Sequence, residues 1–177
     1  MFNDPLALEH DGNGPFRIEP VKLYSMRQCE RLLGQRREIL VQLSRHAGRF
    51  YRPFFKSPVI KPYPKNIKHS KPRLLDNPVQ PLKAVQKCIY RKLLKPVLLP
   101  LYICGGVTGK SVIDNVMLHL GAPVLVTIDI RQFFRTITNE QIYWVWRHLL
   151  DCSPEIAHLL TQLTTFERHL PQGANTS

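Results

Sequence analysis

Apolar residues recur three and four apart through VKLYSMRQCERLL (residues 21–33) and QRREILVQLSRHA (35–47), and a glycine follows each run, Gly34 and Gly48. That spacing predicts two short amphipathic helices with glycine stops. The period then changes. RFYRPFFKSPVIKPYPKN (49–66) sets four prolines among aromatic and β-branched residues, a pattern of extended strand and loop. Leu82, Val85, Ile89 and Leu93 restore helical spacing as far as Pro96, with Asn77 the expected cap and Pro78 in the expected first turn.

Further along, Ser111 is followed three residues later by Asp114, a capping-box start for a helix whose apolar face is Ile113, Val116, Met117 and Leu120, up to Gly121. Pro123 to Ile130 is a β-branched apolar run of strand length, the kind buried on both faces, and it presents Asp129 near its end. Thr138 with Gln141 makes a second capping box ahead of the stripe Ile142, Val145, Trp146, Leu149 and Leu150. Trp146 lies on that stripe and reads as core; Trp144 lies off it. Ser153 and Pro154 start a last helix with Ile156, Leu159, Leu160 and Leu163 inward.

Composition narrows the classes. A chain of 177 residues, 44% hydrophobic, is long enough for one domain with a real core. Cys29, Cys88, Cys104 and Cys152 have neither a close pair nor matching histidine spacing, which argues against a disulfide framework or a zinc site and fits a reducing compartment. The start, MFNDPLALEHDGNGPF, has no apolar run after a basic region, and no segment has the ~20 apolar residues of a membrane span. The expectation is a soluble, cytoplasmic protein with no membrane partner.

Charge changes the picture more. The net charge is +12, and between Arg52 and Lys95 stand twelve basic residues and a single acid, Asp76, so this segment carries +11. Phe54, Phe55 and Tyr63 are interleaved with the cations. Such a stretch suits a polyanion with stackable bases, that is, nucleic acid, better than a plain solvated face.

Three local features carry candidate chemistry. CGGVTGKSVIDN (104–115) nearly spells a phosphate-binding loop, but the position five before Gly109 is Cys104 where the motif requires glycine, so it reads as a glycine turn and a helix start. Lys110 beside that helix start is either structural or a contact to a nucleic-acid phosphate. Asp129, at the end of an apolar run, is either a capping or ion-paired aspartate or a Mg²⁺ ligand, because hard oxygen donors at strand ends are how Mg²⁺ is usually held. His69, His119, His148, His158 and His169 share no face and no triad partner and read as surface or capping histidines.

Taken in order, the segments resemble the amino-terminal half of a bacterial reverse transcriptase of the retron and group II intron kind, from about Leu23 to Ser177. A helix pair comes first, then the aromatic basic strand FYRPFFK, KPRLLDNPVQPLKAVQKCI like the fingers segment, and GGVTGKSVIDNV before a helix. VTIDIRQFF is similar to the first palm motif and LPQGANTS to the next. Each is weak alone; the ordered set is specific.

The resemblance implies an α+β right-hand polymerase fragment: an arm at 1–22, helical and basic fingers at 23–121, and an incomplete palm at 122–177. It implies RNA-directed DNA polymerase chemistry with Mg²⁺ as cofactor, and an RNA template, a DNA or RNA primer and dNTP as partners. Asp129 matches the first catalytic carboxylate, with the Ile130 carbonyl its neighbouring metal ligand. Phe134 matches the aromatic beneath the incoming sugar, and Arg73 the fingers arginine on the triphosphate. Lys71, Lys68 or Lys65 is a second phosphate contact, left unassigned among the three. Gln172 and Gly173 match the pair lining the nascent base pair and template. Lys61, Lys65, Lys68 and Lys110 are the expected nucleic-acid contacts. The tyrosine followed by paired aspartates that the family carries next does not occur in these residues, so the expectation is either an enzyme completed by a further segment or second chain, or a non-catalytic nucleic-acid-binding fragment of a truncated gene.

Overall fold

Ser25 decides where the first helix begins. Its hydroxyl accepts from the Gln28 amide at 3.3 Å, and Gln28 Oε1 accepts from the Ser25 amide at 3.1 Å, closing a capping box that starts α1 (Met26–Leu33) five residues into the periodic run. Gly34 ends α1 in the left-handed region, φ 67°. The computed structural model describes residues 22–57 and 72–177; Lys61, Lys65, Lys68 and Lys71 lie outside them. Contacts divide the described residues into two units, 97–129 and the remainder.

In the larger unit, α2 (Arg37–Arg45) does not stop at Gly48 as expected. The backbone tightens into a 3₁₀ turn, Ala47–Phe50, that passes through Gly48 straight into β1 (Tyr51–Lys56). β1 pairs antiparallel with β2 (Arg73–Pro78), in register from Tyr51 opposite Pro78 to Lys56 opposite Arg73. This pairing corrects the expected helix cap: Asn77 stands opposite Arg52 and Pro78 closes the strand, so α3 starts only at Leu82 (Leu82–Ile89) and continues as a π-helical turn, Tyr90–Leu94. Cross-strand pairing overrode a favourable local capping pattern.

The short helix α5 (Phe133–Thr136) precedes α6 (Asn139–Trp144), which Thr138 caps and which continues as a π turn, Val145–Leu149. α7 (Pro154–Thr164) is capped by Ser153, with proline at its first turn. α7 packs against α2, α3 and α6 and is the centre of the core. Its Ile156, Leu160 and Leu163 are fully buried, as are Leu40, Leu82 and Ile89 from the surrounding helices. Trp146 is buried as expected from the stripe, and Trp144 is half-buried. The unit is thus mixed helix and strand.

In the unit 97–129, α4 (Val112–Met117) begins at the Ser111–Asp114 capping box read from the sequence. The Asp114 carboxylate accepts from the Ser111 amide and hydroxyl, each at 2.6 Å, and the hydroxyl first, then the amide, holds that carboxyl below its usual range. Two expectations fail here. The apolar face of α4 buries no residue, and Pro123 to Ile130 forms no strand and is exposed throughout, with Val126 at 75% and Ile128 at 84%. A strand exists only as a pair, and the ladder among the described residues is β1 with β2.

These two burial states give opposite expectations for substitution. Leu160→Ala, in the α7 core, should cost about 2–5 kcal/mol, whereas Ile128→Ser should shift stability by no more than about 0.5 kcal/mol. Urea unfolding followed by circular dichroism reads both; equal losses would contradict the exposure of 123–130.

Candidate nucleic-acid interface

The β1–β2 ribbon sorts its side chains by alternation. Partners opposite one another share a face, so Arg52, Phe54 and Lys56 stand with Asn77, Leu75 and Arg73. Arg52, Phe54, Lys56 and Arg73 are all exposed. One face of two paired strands therefore carries three cations and an exposed aromatic ring, the combination that tracks a phosphate backbone and stacks a base. The opposite face sends Tyr51 and Asp76 inward, both buried.

That inward face anchors the ribbon to the helices. Gln86 Nε2, on α3, donates to the Tyr51 hydroxyl at 2.7 Å and to the Leu163 carbonyl of α7 at 2.9 Å. Burial raises the Tyr51 hydroxyl well above its ordinary value, against the opposing effect of the Gln86 hydrogen bond, and its ring stacks on Phe166 at 4.4 Å. The ribbon is thereby held on a packed helical base.

Asp76 does more than fill the core. Its side chain is buried, 1% exposed, and Oδ2 lies 3.3 Å from His169 Nε2 and accepts from the Gln172 amide at 3.2 Å. The Asp76 amide donates to the Gln172 carbonyl at 2.8 Å. Residues 169–173 thus run along β2, and Gly173, φ 100°, lies against Leu75, where a Cβ would meet the leucine side chain at 3.7 Å. The other side of this strap is tied too: His169 bridges Thr138, and the Leu170 amide donates to the Ile137 carbonyl at 3.0 Å.

The fold therefore brings Arg73, Gln172 and Gly173 to one ribbon, and ties the segment just after Phe134, which is half-buried on α5 with its ring 5.6 Å from that of Phe133. Asp129 and Lys110 belong to the other unit; Asp129 is exposed and Lys110 half-exposed beside the start of α4. Among the described residues no group of three or more His, Cys, Asp or Glu is arranged to hold a metal ion, and no helix is long and apolar enough to cross a membrane.

One sequence reading is corrected outright. His169 is no surface histidine: it is 7% exposed and paired with Asp76. The available signal was Asp76, the single acid in a stretch of twelve basic residues. Its partner lies 93 positions away, which no local spacing reveals.

No protein-family model matches the chain. Curated relatives do. Over 106 residues it is 28% identical to the Retron Se72 reverse transcriptase of Salmonella heidelberg (strain 579083-10), covering 60% of this chain and 28% of that protein. Over 105 residues it is 30% identical to the Retron Ec86 reverse transcriptase of Escherichia coli, 59% of this chain and 32% of the other. Over 122 residues it is 27% identical to the Retron Mx162 reverse transcriptase of Myxococcus xanthus, 59% of this chain and 25% of the other. The matches span between a quarter and about a third of these relatives' lengths.

The strap makes Gly173 a sensitive position. Gly173→Ala forces a side chain into a positive φ and should destabilise by about 1–3 kcal/mol, with tryptic cleavage at Lys83 and Arg168, the basic residues flanking the strap contacts, rising in parallel. Unchanged urea midpoint and cleavage would show that the turn tolerates a Cβ.

Proposed function

Starting from the chain's kinship with retron reverse transcriptases over some 60% of its residues, we propose that it supplies the fingers and first palm elements of an RNA-directed DNA polymerase. That enzyme would extend a primer 3′-hydroxyl with dNTPs along an RNA template. The observation that carries the reading is the joining of β2 to the 169–173 strap, which sets Arg73, Gln172 and Gly173 on one ribbon with Arg52, Phe54 and Lys56. Fingers at 23–121 and palm at 122–177 each draw on both units.

The residue roles are those that the resemblance to reverse transcriptases implies, and the side-chain chemistry suits them. Arg73 holds the triphosphate, because a planar guanidinium donates to phosphate oxygens in pairs, with Lys71, Lys68 or Lys65 as a second cation. Lys61 and Lys110 add backbone contacts. Phe134 excludes a 2′-hydroxyl beneath the incoming sugar, and Gln172 with Gly173 lines the nascent pair. Asp129 and the Ile130 carbonyl are hard oxygen donors of the kind Mg²⁺ takes. They do not suffice for a centre of two ions ~3.5–4 Å apart, which needs further carboxylates, and the described residues hold no such group. The proposed enzyme therefore takes its second carboxylate motif from outside these residues, on another segment or chain. The exposed cations and Phe54 on one ribbon face also support a second reading, nucleic-acid binding without chemistry.

Two experiments test the proposal. Binding of single-stranded RNA or DNA by the 177-residue chain should weaken as salt rises. Replacing Arg52, Lys56 and Arg73 together by glutamine should reduce the slope of log affinity against log salt by about 2, at ~0.7 per phosphate contact. A flat salt dependence in the parent chain sinks the nucleic-acid reading altogether. In primer extension with Mg²⁺ and an RNA template, this chain alone should make no DNA, whereas the chain joined to a segment bearing paired aspartates should extend and lose extension with Asp129→Asn. In that completed protein, Phe134→Val should raise ribonucleotide relative to deoxynucleotide incorporation. No extension even when completed would leave the binding-only reading.

A further inference from the structure

His169 stands at the end of a strained two-residue turn. Phe166 and His169 exchange both backbone hydrogen bonds at 2.9 Å, and the two residues between them, Glu167 and Arg168, have φ of 46° and 64°. Tight hairpins of this type normally place Asn and Gly there, because other side chains are strained at positive φ. Such strain persists only where the surroundings over-determine it. Here the surroundings are the Thr138 bridge, the Leu170–Ile137 hydrogen bond and the Asp76 contact.

The ring so held faces an acceptor at each nitrogen. Nε2 is 3.3 Å from Asp76 Oδ2 and Nδ1 is 3.2 Å from the Glu167 carbonyl oxygen. A neutral imidazole has one N–H and one lone pair, so either tautomer sets a lone pair against an oxygen. Only the imidazolium donates to both. Other groups around the ring do not compete for the role. The Tyr51 hydroxyl, on the ribbon face of Asp76, is kept protonated by burial; Arg168 is paired with Glu140 at 3.5 Å on the surface; and the Phe166 ring packs edge-on at 6.0 Å.

We propose that the Asp76–His169 pair is a proton-dependent positioning device, complete when His169 carries both ring protons and Asp76 none, that seats the Gln172–Gly173 strap on β2. The inference rests on the proposed function for its consequence, since Gln172 and Gly173 are the residues read as lining the nascent pair. Asp76 and His169 are positioning residues and touch no substrate. With one ring proton missing, a lone pair faces either Asp76 Oδ2 or the Glu167 carbonyl, and the strap loses that tie.

The test uses the free 177-residue chain. Nitrogen-15 shifts of the His169 ring and the amide-exchange protection factor of Gln172, corrected for intrinsic rates, are followed by NMR over one pH series. The expected result is a single shared midpoint, with protection falling roughly tenfold as the second ring proton is lost, the scale of one hydrogen bond to a charged group. Asp76→Asn should abolish that coupling. His169→Gln, whose amide donates at every pH, should keep protection but flatten its pH dependence, and serves on its own if Asp76→Asn does not fold. Protection that stays flat while the ring titrates, or a loss of protection with rising pH that survives His169→Gln, overturns the proposal. Because no nucleic acid is present, this outcome is independent of whether the chain binds RNA.

Discussion

A buried carboxylate in the most basic part of the chain organises the larger unit. Taking Asp76 out of water is costly unless donors replace the lost hydration, and those donors come from 93 and 96 residues further on, the His169 ring and the Gln172 amide. Pairing Oδ2, while the buried Oδ1 has no hydrogen-bond partner among the described residues, thus requires that residues 169–172 return to β2. With β2 held in this way, its ladder partner β1 is set, and so is the direction in which Arg52, Phe54, Lys56 and Arg73 project.

The ribbon would be a poor platform alone, since an isolated two-stranded hairpin is marginal in water. Its stability is borrowed from α7. Ile156, Leu160 and Leu163 fill the centre of the unit, while Gln86 links the Tyr51 hydroxyl to the Leu163 carbonyl. The exposed cations therefore stand on an element whose other face is locked by a stacked aromatic pair and a buried amide. An exposed face supported from behind in this manner holds its side chains in a fixed geometry.

The unit 97–129 shows what local rules achieve without tertiary burial. Its capping box is complete and its turns use glycine at positive φ, Gly106, Gly109 and Gly121, yet Val112, Ile113, Val116 and Met117 are all exposed. Side chains of this kind contribute ~1.5–3 kcal/mol each only when buried. The pattern for an apolar face is written in this segment, and α4 by itself buries none of it.

Short-range chemistry was legible in the residues alone. The capping boxes at Ser111 and Thr138, the α7 start at Ser153–Pro154 and the buried stripe Leu82, Val85, Ile89 and Leu93 all depend on partners within a few positions. The charge concentration at 52–95 and the ordered motifs that resemble those of reverse transcriptases were legible too, because composition and order along the chain need no folded partner. Tertiary structure decided the rest. It drew Asn77 and Pro78 into β2, carried the chain past Gly48 into β1, left 123–130 unpaired and made His169 a buried partner of Asp76. A cap or an amphipathic stripe is closed by neighbours in sequence, whereas strand pairing and the satisfaction of a buried charge depend on which distant segment arrives, and local spacing holds no record of that.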